Sequence, residues 1–243
     1  MVIGVSDPQR VLELVVLQNA ILASLTIGLF WLGVFVARRF GRSSSYSLSP
    51  LGFSRPRAGV FAGAGIGLLV GIGALMISIP LNLASAAVLE RFGYSTQSTV
   101  QGPFMEGLRE WVQQSPILAI PAIVLVVVIL GPAVEELTFR GGVFNALYHL
   151  GRLASKGNEN KRFVSTVEKV SFAAAALVSS AVFALLHLEP VLLPALLILA
   201  VVLCVLFRRT GSLLPCFVAH ATFNSFATLL IILSGLGVFQ VPV

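Results

Sequence analysis

Two adjacent carboxylates, Glu135 and Glu136, are followed by Arg140 in a stretch that is otherwise almost free of charge. Further along, Phe183 precedes His187 by four residues, and His220 precedes Asn224 by the same interval. On an α-helix, positions four apart are separated by about 40° of rotation, so each pair projects from one face. Glu136 and Arg140 have this spacing too and can neutralise one another. Glu135 is turned by about 100° from Glu136 and has only Thr138 and Phe139 at +3 and +4, so its partner must come from another helix. If the three faces converge, one site holds a free carboxylate, two imidazoles, a carboxamide and an ion pair. That set suits hydrolysis: a carboxylate and a histidine can hold and deprotonate water, while a histidine and an asparagine can donate hydrogen bonds to an oxyanion.

The elements that must position these groups are membrane helices. Of the 243 residues, 57% are hydrophobic and only 11% charged, against about 25% charged in an ordinary soluble domain. The apolar residues come in blocks long enough to cross a bilayer, about 20 residues for a 30 Å hydrocarbon core. Val11 to Ala37 is the first block, and Ala58 to Leu89 the second, with Gly63, Gly67 and Gly71 on one face suited to close helix packing. Glu90 to Ser115 is polar and, with Trp111, reads as an interfacial loop in which one short or re-entrant helix could lie. Ile117 to His149 would make about 50 Å of helix, so it must kink at Pro132 or project from the bilayer. Val170 to Leu188, Val191 to Phe207 and Ser212 to Ser234 complete the set. The expected fold is all-α, a polytopic transmembrane bundle of about six to eight helices. A charge at the bilayer centre costs about 2.5 to 3.5 kcal/mol on insertion scales, so the ionisable groups inside these blocks are functional candidates by default.

The 16 Lys and Arg residues against 10 Asp and Glu give a net charge of +6. In a membrane chain that excess reports topology, and no nucleic-acid site is indicated. Alternate loops carry Arg38, Arg39, Arg42, Arg55 and Arg57, then Arg152, Lys156, Lys161, Arg162 and Lys169, then Arg208 and Arg209. The other loops hold only Arg10, Arg91 and Arg109. The basic loops are therefore expected in the cytoplasm, both termini outside, and no cleaved signal peptide is expected. A cell (inner) membrane is the expected location, with the site opening to the cytoplasm. Cys204 and Cys216 have no CxxC spacing and read as small core residues. GAGIG in the second block follows no strand and does not read as a dinucleotide fingerprint.

The ordered segments EELTFRG, FALLH and RTGSLLPCFVAHATFNS resemble the EExxxR, FxxxH and HxxxN motifs of the type II CAAX prenyl endopeptidases, the family of CAAX proteases and bacteriocin-processing enzymes. The resemblance covers roughly Ile117 to Leu233. It implies an intramembrane protease core over residues 117–234, preceded by N-terminal helices in 1–116 and followed by a tail, 235–243. It further implies that Glu135 is the general base, positioning water together with His187, that His220 and Asn224 form the oxyanion site, and that Glu136 with Arg140 supports them. Phe183 belongs to the second motif. The implied partners are the lipid bilayer and a membrane-associated, prenylated or lipid-linked protein or peptide substrate.

Blander readings of the same residues stay open: a packing ion pair for Glu136 and Arg140, a protonated carboxyl for Glu135, an interfacial His187, and an interhelical clasp for His220 and Asn224. His149 beside Tyr148 reads as an interfacial anchor. Glu135, His187 and His220 would also make a His₂Glu zinc set with an open fourth position. The expected cofactor is therefore none or Zn, and the metal-free form is favoured because Asn224 and Arg140 suit charge stabilisation. An aspartyl mechanism would need two aspartates, and Asp7 is the single one. HExxH and G-x-S-x-G are absent. Glu189 and Pro215-Cys216 do not complete a deaminase zinc motif, because Ala219 stands where its second cysteine would. Outside enzymes, a bacteriocin-immunity or accessory binding protein and a proton-coupled transporter are the alternatives.

Overall fold

A computed structural model describes residues 8–40, 47–98 and 101–239. Asp7, Arg42 and the end of the tail lie outside the described residues. Seven helices follow one another: α1 (Pro8–Arg39), α2 (Val60–Arg91), α3 (Gln101–Gln114), α4 (Pro116–Ser155), α5 (Lys161–Leu185), α6 (Leu193–Thr210) and α7 (Leu213–Gly235). All but α3 are long and apolar enough to span a membrane, and no strand occurs among the described residues. Leu29, Phe35, Phe61 and Leu69 on α1 and α2 are largely exposed, as expected of side chains that face lipid.

Two sequence expectations need correction, and a third, open between alternatives, is decided. The segment from 90 to 115 is not all loop, because α3 occupies Gln101–Gln114 and buries Leu108, Trp111 and Val112 against the start of α4 and the end of α7. Trp111 is thus a packing residue. Beside it Arg109 hydrogen-bonds Glu106 and holds that carboxyl below the usual carboxylate range. Second, the basic loop after Arg152 is short: α5 already begins at Lys161, where the Asn160 side chain accepts from the N–H groups of Arg162 and Phe163. Third, Pro132 lies inside α4, whose 40 residues, about 60 Å, project past the hydrocarbon core, one of the two alternatives that its length allowed. Two π-helical stretches, Val124–Leu130 and Leu137–Phe144, absorb the irregularity on either side of Gly131–Glu136.

The basic connections meet at one end of the bundle. Ser54, Arg57 and Gly52 from the first loop bond the turn between α6 and α7 at Ser212, Thr210 and Leu213, and Asn145 of α4 bonds Pro50. Arg208 of α6 and Tyr148 of α4 share the Glu168 carboxylate of α5. At the opposite end, Ser98 and Gln101 bond Glu189, and Ser85 bonds Pro190. This alternation is what six successive spans require.

Residues Gly63, Gly67 and Gly71 are buried and let α2 lie along α7 within the chain. A Cβ on Gly67 would sit 2.4 Å from the Pro215 carbonyl, and one on Gly71 2.6 Å from that of Ala219. The backbones are therefore too close for any larger residue. On α4, Thr138 bonds Thr26 of α1 at 3.1 Å.

Candidate functional site

At mid-length of α4, the α-helical turn Gly131–Glu136 presents two carboxylates in different surroundings. Glu136 is 0% exposed and binds Arg140, 1% exposed, at 3.0 Å. The expected i,i+4 pair therefore forms in full burial, where desolvation is expensive unless each charge is held by several groups. Arg140 also donates to the Ala200 carbonyl of α6 at 3.4 Å and stacks over the Phe183 ring at 4.8 Å. Glu136 receives more than the sequence suggests: its Oε1 also meets His220 Nδ1 at 2.8 Å. A carboxylate oxygen already held by a guanidinium can only accept, so Nδ1 carries the proton and Nε2 is left facing outward.

That second nitrogen faces Glu135. His220 Nε2 lies 3.6 Å from Glu135 Oε2, beyond a direct hydrogen bond but close enough for both to meet one small group. Glu135 thus finds its partner on another helix. The side chain of Glu135 is 28% exposed whereas His220 is 2% exposed, so access to the pair is from the Glu135 side.

Phe183 joins the second motif to this cluster. Its ring packs edge-on against His220 at 5.7 Å, against Phe139 at 5.2 Å, and at a tilt against His187 at 4.8 Å. The two imidazoles therefore flank one benzene ring.

His187 does not end a helix but lies just past it, in the turn after Leu185. Its Nδ1 is 2.8 Å from the Phe183 carbonyl, which the helix ladder no longer uses because the His187 N–H bonds Ala184 instead. Nδ1 therefore carries the proton, and Nε2 is the free acceptor. The turn is held from outside. Leu188 has φ 55°, an unusual value for a residue with a side chain. Glu189, buried next to it, accepts from Ser98 Oγ at 2.5 Å and from the Gln101 N–H at 2.8 Å. It so caps the first turn of α3. No motif pointed to this function of Glu189.

Asn224 is tied to α4 by its carboxamide. Its Nδ2 donates to the Val127 carbonyl at 3.2 Å. The Gly131 N–H bonds the Val126 carbonyl, so the π register leaves Val127 opposite residue 132, which is proline and has no N–H. The carboxamide thus satisfies a carbonyl that Pro132 orphaned inside the membrane. Pro132 was the sequence signal for this contact.

Among the described residues no group of three or more His, Cys, Asp or Glu side chains comes together as a metal-ligand cluster, and His187 reaches His220 only through the Phe183 ring. Cys204 and Cys216 are buried free thiols in the core between α6 and α7. His149 packs beside Tyr148, away from the site.

Direct contact therefore unites Glu135, Glu136, Arg140, Phe183 and His220, drawn from the EExxxR, FxxxH and HxxxN segments alike. Residues 117–226 match the family model of type II CAAX prenyl endopeptidase, Rce1-like. The match to the Rce1-like family takes in α4, α5, α6 and the site-bearing part of α7, and leaves α1, α2 and α3 outside it. The match covers slightly less than half of the chain, and the six apolar spans are those of an integral membrane protein. No curated protein and no solved structure matches the chain at a significant level.

Proposed function

We propose that this protein is an intramembrane endopeptidase that hydrolyses a peptide bond of a membrane-associated or lipid-linked substrate with water activated at Glu135. The observation that carries this reading is the placement of one accessible carboxylate, Glu135, opposite an imidazole nitrogen that a second, buried carboxylate holds in position. Glu135 takes the proton of a water held beside it, the hydroxide so formed adds to the scissile carbonyl, and Glu135 returns the proton to the leaving amine as the C–N bond breaks. His220, oriented through Nδ1 by Glu136, presents Nε2 to the same space and stabilises the oxyanion of the tetrahedral intermediate when that nitrogen is protonated. Arg140 holds Glu136 in place, so Glu136 and Arg140 position His220 and do not touch the substrate. His187, with Nε2 free, is the second group for the water, and Phe183 fixes the distance between the two imidazoles.

Asn224 contributes through one remaining N–H, its other being directed at Val127. No step here uses a metal. The basic end of the bundle is assigned to the cytoplasm of a cell membrane on its Arg and Lys content.

The test uses purified protein in liposomes with a pool of lipid-anchored peptides, and reads new termini by mass spectrometry. Glu135→Gln is expected to lose at least about 100-fold in rate, in line with removal of a general base. Chelator is expected to leave the wild-type rate unchanged. Unchanged cleavage by Glu135→Gln would refute the assignment of the base, and loss of cleavage with chelator, restored by zinc, would refute the metal-free form. An immunity or accessory protein of the binding type would show no new termini with any variant.

A further inference from the structure

At the basic end of the bundle, away from Glu135 and His220, a cavity of about 470 Å³ opens between α5 and α6, with Tyr148 of α4 at its back. Its rim carries Lys169, Arg208, Arg209 and Ser165, and its floor is Phe172 and Val205. Glu168 is the single acid there, and it is already occupied: Arg208 binds it at 2.8 Å and the Tyr148 hydroxyl donates to it at 2.7 Å. Arg208 and Arg152 both stack on the Tyr148 ring, at 5.1 and 5.6 Å, which adds a further cation at the edge. Lys169 and Arg209 are exposed and make no ion pair among the described residues. The cavity is thus a built pocket with an excess of positive charge and donors but no anion for them.

Its level in the membrane decides what the anion is. The span of α6 is only 18 residues, about 27 Å, close to the thickness of the hydrocarbon core. Arg208 and Arg209 in its last turn therefore lie at the edge of the hydrocarbon core, where their long side chains reach the lipid phosphates. Val205 lies one turn inward on α6, and Phe172 one turn inward from Lys169 on α5. Both are at the depth where acyl chains begin. A charged rim at headgroup level above an apolar floor at chain level suits a phospholipid, whereas a free phosphate would have no use for the floor. We propose that this pocket binds one anionic phospholipid, its phosphodiester between Lys169 and Arg209 and the root of an acyl chain against Phe172 and Val205. This reading is independent of the catalytic assignment.

The experiment is native mass spectrometry of the full-length protein released from nanodiscs of phosphatidylglycerol mixed equally with phosphatidylcholine. The wild type is expected to retain one phosphatidylglycerol at least about tenfold over phosphatidylcholine. K169A/R209A is expected to lose this preference, and K169Q/R209Q to lose it likewise if the alanine form does not remain monodisperse. R55A/R162A, which removes the same charge from the same end outside the pocket, is expected to keep it. Equal loss in the pocket and control variants would mean diffuse surface attraction and overturn the proposal, as would absence of any preference in the wild type. Displacement of the bound lipid by millimolar inorganic phosphate would also overturn it, in favour of a soluble anion.

Discussion

Glu135 and Glu136 are neighbours in sequence, yet one faces an opening and the other is sealed between Arg140 and His220. Helical rotation foretold the split, because Arg140 lies on the face of Glu136 alone. What it could not foretell is that His220 would bridge both carboxylates, since that depends on how α7 rotates about its own axis. The two should answer mutation differently. Removing Glu136 leaves a fully buried guanidinium without its counter-ion, so Glu136→Ala is expected to cost about 3 to 5 kcal/mol in stability. Glu136→Ala with Arg140→Met should recover much of it. Glu135→Gln should change stability by less than about 1 kcal/mol while abolishing cleavage. Denaturation midpoints of purified protein in a detergent and denaturant series check both, and a Glu136→Ala protein as stable as the wild type would refute the buried pair. At His187, the motif spacing gave the residue but not the strained Leu188 or the Glu189 anchor that hold its turn, because both depend on a loop 90 residues earlier in the chain.

Among the elements, α4 departs furthest from what hydropathy alone could say. Its length was legible, and so was Pro132 as an irregularity, but the irregularity is spread over two π stretches and closed by Asn224. Asn224→Ala should therefore leave the Val127 carbonyl unpaired and cost about 1 to 3 kcal/mol. In a Pro132→Ala background, where residue 132 regains its N–H, the same substitution should cost much less. A stability cost that is identical in both backgrounds would contradict this pairing. If Asn224 also serves the oxyanion, the double variant will fold well and still cleave slowly. For α2, the glycine face was visible as a four-residue repeat, and the structure supplies its partner, α7. Gly71→Leu is expected to destabilise by about 3 kcal/mol or more, whereas Gly73→Ala, whose Cβ would meet nothing within 4 Å, should be neutral or gain up to about 1 kcal/mol. A short helix between 90 and 115 was allowed by the sequence, but its bounds were not, because polar residues, Gly and Pro mask the apolar face of Leu108, Trp111 and Val112 when hydropathy is averaged along the segment.

For the whole molecule, the class and the alternation of loops were legible because both rest on composition, and the contacts at the two ends of the bundle agree with them. The meeting of the Phe183 ring with both imidazoles was not, since hydropathy sets the length of a span and not which side chains of neighbouring helices touch. With six spans and the basic connections at one end, a thiol placed at Ser155 should react with an impermeant reagent only from the cytoplasmic side of sealed cells and vesicles. A thiol at Tyr94 should react only from the other side, and the reverse pattern would invert the orientation. The central claim is that Glu135 activates water for peptide-bond cleavage within the membrane. It is tested most directly by comparing all new peptide termini in membranes of the native host carrying either the wild type or equally abundant Glu135→Ala. The account predicts a set of termini present only with the wild type, which would identify substrate and cleavage site together. Indistinguishable profiles, with the Glu135→Ala protein still complementing the deletion, would contradict catalysis and leave the cluster of Glu135, Glu136, Arg140 and His220 as a packing device.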